Sequence, residues 1–205
     1  MNNKYLITIS RQFGSGGRSI GQKLANKLAI HFYDKELISI AAKESGLSPE
    51  VFKSVDETAA NSLLYSLSMG MYNLGGPLAM GDLPVNDKLY LLQHQIIKDI
   101  ATKGPCVIVG RCADYVLKDN PHTINVFIYA DMEYRKKRAV TVHDIEERRA
   151  ETIINKTDKT RANYYSFYTG KKWGVTQNYD LCINSAQLSD DKIVDLICSY
   201  IDLKG

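Results

Sequence analysis

The sequence has no long run of apolar residues. Hydrophobic residues make up 44% of its 205 positions, yet no stretch approaches the roughly 20 consecutive apolar residues that a membrane-spanning helix needs. The first hydrophobic run is short and ends at Arg11 and Gln12, which predicts neither a signal peptide nor an anchor. We therefore expect a cytoplasmic protein that has no membrane partner.

Cysteine is scarce and scattered. The four cysteines form no CxxC pair and have no histidine at ligand spacing: Cys106, Cys112, Cys182 and Cys198. This pattern predicts reduced thiols, packed mostly as small apolar groups, and argues against a zinc site. The four histidines have no serine or cysteine pattern around them that indicates a catalytic triad, so none is assigned a catalytic role.

An excess of charge of one sign is also missing. Lysine and arginine number 26 against 23 acids, and the net charge of +3 is too small by itself to indicate a nucleic-acid-binding protein. The most basic segment, residues 134–161, has acids interleaved with its basic residues. We expect no nucleic-acid partner, whereas an anionic small molecule is compatible with this charge.

The N-terminal region contains the most informative pattern in the chain. An apolar run at residues 5–9 predicts a buried strand, a glycine-rich turn covers residues 14–17, and helical spacing of apolar residues begins at Ser19. This order of elements is the context of a phosphate-binding loop. Its glycines let the backbone N–H groups point inward, and the helix N-terminus adds partial positive charge. The predicted polyphosphate contacts come from Gly14, Ser15, Gly16, Gly17, Arg18 and Ser19.

The loop departs from the usual pattern G-x-x-x-x-G-K-[ST]. Gln12 stands at the first glycine position and Arg18 at the lysine position, while Ser19 keeps the hydroxyl. Arg18 retains a permanent cation as a planar fork, and Ser19 is predicted to hold Mg²⁺. A glycine-rich turn that binds no ligand is the alternative interpretation.

Strands and helices alternate along the rest of the chain. Further strands are predicted at residues 30–33, 105–109, 124–129 and 179–183, and further helices at residues 35–44, 88–102 and 190–201. Alternation of this kind predicts an α/β fold with five parallel strands and helices on both faces of the sheet. The length fits one domain, with room for a small insert.

Residues 58–81 contain no charged residue and are rich in Leu, Met, Tyr, Ser and Gly. Three interpretations stay open for this stretch: a flap over a substrate, a surface for self-association, and an irregular buried loop. Because an uncharged surface can associate with a second copy, the stretch favours a homodimer.

Charged residues follow several of the predicted strands. Asp34 and Lys35 follow the second strand, and Arg111 follows the third. In parallel sheets ligands bind beyond the carboxyl ends of the strands, so we expect these residues to contact a substrate near Arg18. As an alternative, Asp34 caps a helix that begins at Lys35.

A second group of candidates lies in residues 134–161. Arg135 and Arg138 are three residues apart on a helical face, and so are Asp158 and Arg161. Phosphoryl transfer needs cations around the moving group, and we predict catalytic roles for Arg18 and these four residues. The alternative is a helical pair with surface ion pairs.

The chain resembles the cytidylate kinase-like proteins among the P-loop nucleoside monophosphate kinases. The resemblance lies in five stretches: residues 7–18, 32–38, 110–111, 156–165 and 179–185. It implies a three-layer α/β kinase fold with a five-stranded parallel sheet, a core of residues 1–35, 88–133 and 176–205, a monophosphate-binding insert of about 36–87, and a lid of about 134–175. It also implies ATP and Mg²⁺ as cofactors, an acceptor phosphate bound by Arg111, and a small-molecule nucleotide as substrate.

The chain departs from this family at three places. Val109 and Cys112 replace the two acids that flank glycine-arginine in cytidylate kinases, residues 154–155 lack the arginine-aspartate pair of their lid, and Arg18 replaces the lysine. The expected function is ATP-dependent phosphoryl transfer to a small acceptor, with a nucleoside monophosphate favoured. A nucleotide-binding regulator without catalysis, or a kinase of another small metabolite, is the alternative.

Overall fold

The computed structural model describes residues 4–34 and 85–204, which form a parallel sheet covered by helices. The strands are β1 (Leu6–Arg11), β2 (His31–Tyr33), β3 (Cys106–Val109), β4 (Thr123–Tyr129) and β5 (Leu181–Asn184). Their order in the sheet is β2-β3-β1-β4-β5, and every pair is parallel. The prediction of a five-stranded parallel sheet flanked by helices is confirmed.

Six helices surround the sheet in the described part of the chain. They are α1 (Gly17–Leu28), α2 (Val85–Lys103), α3 (Ala113–Val116), α4 (Met132–His143), α5 (Glu147–Thr169) and α6 (Asp190–Lys204). Among these residues, no helix is long and apolar enough to cross a membrane.

Strand β1 lies at the centre of the molecule and divides the core into two layers. Ile7 and Ile9 point to one face, where they pack with residues of α1 and α6. Leu6 points to the other face, where it packs with residues of α2 and α3. This alternation follows from the two-residue period of a strand. Arg11 continues the series of Ile7 and Ile9, so the strand itself directs it to the α1 face.

Several element boundaries differ from the sequence predictions. Helix α1 begins two residues earlier than predicted, at Gly17, because a glycine-rich turn leads directly into it. Strand β5 begins at Leu181, two residues later than predicted, since a 3₁₀ turn at Thr176–Asn178 comes first and the Asp180 N–H pairs with the Asn125 carbonyl. The predicted helix at residues 35–44, the uncharged stretch 58–81 and most of the proposed insert lie outside the described residues.

Candidate active site

The predicted phosphate loop forms the turn between β1 and α1. Gly14 and Gly16 have φ values of 76° and 83°, a left-handed conformation that glycine adopts without steric cost. Gly16 is the N-cap of α1, and no side chain caps this helix end among the described residues. The first N–H groups of a helix have no partner within it, so they are available to an anion.

Ser15 holds the loop in place through hydrogen bonds to the backbone. Its side chain is fully buried, and its single hydroxyl hydrogen is shared between the carbonyl oxygens of Gln12 and Ile128, which lie 2.9 and 3.1 Å from Oγ. The Ser185 hydroxyl in turn donates to the Ser15 carbonyl at 2.6 Å. Ser15 therefore shapes the loop through its hydroxyl, and its predicted contact with phosphate stays a prediction.

Helix α4 packs its arginines directly on this loop. A Cβ atom at Gly14 would lie 2.7 Å from the Arg135 carbonyl oxygen, and one at Gly16 would lie 3.1 Å from Nη2 of Arg138. The Nε atoms of Arg135 and Arg138 are buried and have no hydrogen-bond partner among the described residues. Because buried donors are normally paired, two orphaned guanidinium donors beside an uncapped helix N-terminus fit a polyphosphate.

Helix α5 reaches the same loop through Asp158. Its carboxylate accepts a hydrogen bond from the Phe13 N–H at 2.7 Å and one from Nη1 of Arg135 at 2.5 Å. Nη1 of Arg161 lies 4.0 Å from this carboxylate and donates to the Arg11 carbonyl at 3.1 Å. The structure thus brings the predicted residues Arg135, Asp158 and Arg161 together, with Arg135 as the closer partner of Asp158.

Arg18 and Asp34 form an ion pair at the end of β2. Nε of Arg18 lies 2.6 Å from Oδ2 of Asp34. Asp34 is buried, whereas the Arg18 side chain is 59% exposed. Because it pairs with Asp34, the Arg18 guanidinium is directed toward the end of β2 rather than along the loop. The predicted acceptor contact Lys35, and with it the alternative that Asp34 caps a helix there, lies outside the described residues.

Ser19 and Asp190 provide the oxygen atoms that suit Mg²⁺ beside the loop. The Ser19 hydroxyl donates to Oδ2 of Asp190 at 2.8 Å, and Nη1 of Arg138 lies 3.9 Å from Oδ1 of the same carboxylate. Within the described residues, no group of three or more His, Cys, Asp or Glu side chains could hold a metal. A Mg²⁺ ion that bridges phosphates needs only one or two protein carboxylates and keeps several waters, so this pair fits it.

A separate cleft of about 480 Å³ opens beyond the ends of β1 and β3, facing α5. Four cationic side chains line it together with aromatic residues and small polar groups: Ser10, Arg11, Arg111, Lys156, Thr160, Arg161, Tyr164 and Trp173. Its lining includes no residue of the loop from Gly14 to Ser19. The molecule therefore has a loop suited to one anion and a neighbouring cationic cleft suited to another.

Arg111 enters the cleft from an unusual turn. Gly110, Arg111 and Cys112 have φ values of 75°, 60° and 53°, three left-handed residues in a row. The turn is held by hydrogen bonds from the Gly110 N–H to the Ile9 carbonyl and from the Ala113 N–H to the Gly110 carbonyl. Burial lowers the pKa of Arg111. For the two non-glycine residues, Arg111 and Cys112, backbone strain of this kind costs about 1–3 kcal/mol each, and such strain clusters at functional sites.

Comparison with known proteins identifies the family. A model described as the cytidylate kinase-like family matches residues 6–187. The chain belongs to the cytidylate kinase-like family. A cytidylate kinase of Methanopyrus kandleri is 21% identical over 206 residues, which cover 96% of this chain and 93% of that protein.

Solved structures share the fold of this chain. An uncharacterized protein from Eubacterium ventriosum has a TM-score of 0.71 and 30% identity over 97% of this chain and 98% of its own. The shikimate kinase of Bacteroides thetaiotaomicron has a TM-score of 0.55 and 14% identity over 97% of this chain and 98% of that one. A gluconokinase of Sinorhizobium meliloti has a TM-score of 0.53 and 13% identity over 98% and 94%. At such identities the two kinases show the fold alone, which is that of P-loop kinases.

Sequence reasoning missed Arg11 as a site residue in this cytidylate kinase-like chain. Its guanidinium reaches the end of β3, since a Cβ atom at Gly110 would lie 2.4 Å from Nη1 of Arg11. Burial, followed by the neighbouring charge of Arg161, lowers the pKa of Arg11 to about 9. The sequence did contain one signal: Arg11 falls on the same face of the strand as Ile7 and Ile9, and this strand ends at the site.

Asp114 was also missed. It is buried and accepts a hydrogen bond from the Tyr165 hydroxyl at 2.6 Å, which ties α5 to the turn after β3. Burial raises the pKa of Asp114. The acid that immediately follows glycine-arginine in cytidylate kinases is replaced here by Cys112, and Asp114 stands two residues further along. Its position three residues after Arg111 was the only hint in the sequence.

Proposed function

We propose that the chain transfers the γ-phosphoryl group of ATP to a small acceptor, with a nucleoside monophosphate of the cytidylate type as the favoured acceptor. The observation that carries this proposal is the contact of Arg135 and Arg138 with the glycines of the phosphate loop. Their buried Nε donors are orphaned among the described residues, and they lie where the charge of a polyphosphate would be greatest.

The N–H groups at the start of α1 bind the phosphates of ATP. Ser19 and Asp190 would hold a Mg²⁺ ion, which would neutralise part of the phosphate charge. Arg135, Arg138 and Arg161 surround the transferred group and stabilise the charge on its equatorial oxygens. Asp158 orients Arg135 by accepting its hydrogen bond at 2.5 Å. Arg18 lies in the first turn of α1, but its guanidinium pairs with Asp34 at the end of β2, so a catalytic role requires it to leave this ion pair.

Helices α4 and α5 form the lid of the proposed enzyme. Both already contact the loop, through Arg138 and through the Asp158 carboxylate on the Phe13 N–H. A lid in this position excludes water, which would otherwise hydrolyse ATP without an acceptor. Arg111 lines the neighbouring cleft and binds the acceptor, and the aromatic side chains of Tyr164 and Trp173 line the same cleft.

A coupled assay with ATP, Mg²⁺ and a panel of nucleoside monophosphates tests the proposal. We expect transfer to at least one monophosphate and a loss of about 100-fold or more in Arg161→Ala, because removing one preorganised transition-state donor costs about that much. Arg148→Gln is the matched control, since its side chain on the same helix is 80% exposed and pairs with Glu146. Transfer that is equal in both variants would contradict the assigned roles.

A nucleotide-binding regulator with the same fold is the second candidate. It is favoured by one observation: the Asp158 carboxylate already occupies the Phe13 N–H, an amide of the phosphate loop. Tight binding of ATP together with no transfer to any monophosphate, shikimate or gluconate would support the regulator and overturn the enzyme. Transfer to shikimate or gluconate alone would keep the enzyme and replace the acceptor.

A further inference from the structure

The cleft beyond β1 and β3 contains an arginine that the proposed phosphate chemistry does not use. Arg11 is the last residue of β1, and its side chain runs under the first residue of α1 toward the turn after β3. The path is made possible by two glycines. A Cβ atom would lie 2.5 Å from the Arg11 Cβ if placed on Gly17, and 2.4 Å from Nη1 of Arg11 if placed on Gly110. Real Cβ atoms do not approach so closely. A side chain at Gly17 would therefore displace the first atoms of the Arg11 side chain, and one at Gly110 would push its guanidinium away from the turn.

The acids near Arg11 are engaged with other residues. Asp34 and Asp158 are close enough to act on its charge, but Asp34 binds Nε of Arg18 at 2.6 Å and Asp158 binds Nη1 of Arg135 at 2.5 Å. Within residues 4–34 and 85–204, the structure shows no hydrogen-bond acceptor for the Arg11 guanidinium. A partly buried cation held in this way is costly unless an anion joins it.

Like charges gather at the same place. Arg111, Arg161 and Lys156 line the cleft with Arg11, and the Arg161 guanidinium donates to the carbonyl oxygen of Arg11 at 3.1 Å. Burial of Arg11 and the charges of Arg161 and Arg111 lower its pKa to about 9, so it remains protonated at neutral pH. Since a planar guanidinium can bind two oxygens of one phosphate at once, a dianion is the group that best offsets this cluster.

We propose that Arg11 is a specificity-determining residue that binds the phosphate of the acceptor, as one arm of a clamp whose other arm is Arg111. This inference rests on the proposed function and deepens it. The cleft lining contains Arg11 but none of the loop residues from Gly14 to Ser19, and this assigns Arg11 to the acceptor rather than to ATP. A phosphomonoester fills the clamp, and the same molecule without its phosphate does not.

The first test is kinetic and uses Arg11→Gln with cytidine 5′-monophosphate. We expect the KM for the monophosphate to rise about 10- to 100-fold, the size expected for a lost charge-assisted hydrogen bond, while the KM for ATP changes less than twofold. Arg11→Lys restores part of the affinity, because an ammonium keeps the charge without the fork. A larger effect on the KM for ATP than on that for the monophosphate, or no effect on either, overturns the proposal.

The second test does not depend on turnover. Inorganic phosphate is titrated into the protein saturated with a non-hydrolysable ATP analogue, so that the loop is filled and only the cleft can respond. Wild type binds phosphate, and Arg11→Gln binds it at least 10-fold more weakly. Arg148→Gln, which changes an exposed arginine, binds it as wild type does. Absence of phosphate binding in wild type, or equal binding in Arg11→Gln, overturns the proposal.

The two tests separate this inference from the proposed function. Phosphate binding that depends on Arg11, with no transfer by wild type to any acceptor, keeps the clamp and rejects the kinase. Transfer to a monophosphate that is unchanged in Arg11→Gln keeps the kinase and rejects the clamp. A folding control accompanies both: Arg11→Gln unfolds at the wild-type temperature or above it, because it removes a desolvated charge.

Discussion

Two ion pairs of similar length hold different parts of this molecule together. Nη1 of Arg135 lies 2.5 Å from Asp158 between α4 and α5, and Nζ of Lys23 lies 2.8 Å from Asp191 between α1 and α6. The side chains of the first pair are 9% and 17% exposed, and those of the second are 44% and 78% exposed. The two distances alone would suggest that the pairs contribute equally to stability, but their burial differs. Solvent screens the charges of the exposed pair, whereas each charge of the buried pair depends on its partner.

The largest effect is expected when one acid is removed from each ion pair. Asp158→Ala leaves the buried Arg135 guanidinium without its carboxylate, and we expect a loss of about 3 kcal/mol in the free energy of unfolding. Asp191→Ala is the matched control and is expected to cost far less, because solvent screens its exposed ion pair. Urea unfolding measures both values. Equal losses would show that burial does not govern these pairs.

Two glycines with similar backbone conformations differ in how closely other atoms pack against them. Gly14 and Gly170 both have positive φ, at 76° and 68°, but a Cβ atom would lie 2.7 Å from the Arg135 carbonyl at Gly14 and would contact nothing within 4 Å at Gly170. Gly170→Ala therefore measures backbone strain alone, about 1–2 kcal/mol. Gly14→Ala adds a displacement of α4, and we expect phosphoryl transfer to fall about 100-fold as the arginines move.

Thermal unfolding and the coupled assay distinguish these two glycine variants. Gly170→Ala should lower the melting temperature and leave turnover per folded molecule unchanged. If Gly14→Ala also keeps its turnover, then the close approach of α4 to the phosphate loop has no catalytic role.

The smallest effect is expected on the exposed surface between α1 and α6. Lys27 pairs there with Asp195 one turn along from Lys23. Lys23→Met and Lys27→Met together should change the free energy of unfolding far less than Asp158→Ala does, and 0.5 M salt should reduce even that difference. Urea unfolding of the double variant in low and high salt gives the measurement. A loss of stability as large as that of Asp158→Ala would show that the surface pairs contribute as much as the buried pair.

The elements of the fold could be predicted from the sequence because each leaves a local trace. The glycine-rich turn after Ile9, the apolar runs around Val107 and Val126 and the helix after Ser19 all follow from composition within a few residues. The order of strands in the sheet does not, since it depends on crossovers between distant segments. It was the resemblance to P-loop kinases that supplied the fold.

The structure brings together several residues predicted for the candidate site, but it pairs them differently from the sequence prediction. Arg135, Asp158 and Arg161 do meet, but spacing suggested Arg161 as the partner of Asp158, and the shorter contact belongs to Arg135 on another helix. Arg135 and Asp158 are 23 residues apart on two different helices, and a contact of this kind leaves no periodic pattern in the sequence. Arg11 was missed for a related reason: its importance comes from Gly17 and Gly110, which only the folded chain places beside it.

The central position of β1 has a consequence for dynamics. This strand pairs with β3 on one side and with β4 on the other, and it ends in Arg11 and the phosphate loop. Amide hydrogens in such a strand exchange with solvent only through the largest openings of a protein. Deuterium uptake should therefore be slowest at Ile7 and Ile9 and faster along α5. The strand that supports the site would then stay folded during local openings of the helix that packs over it.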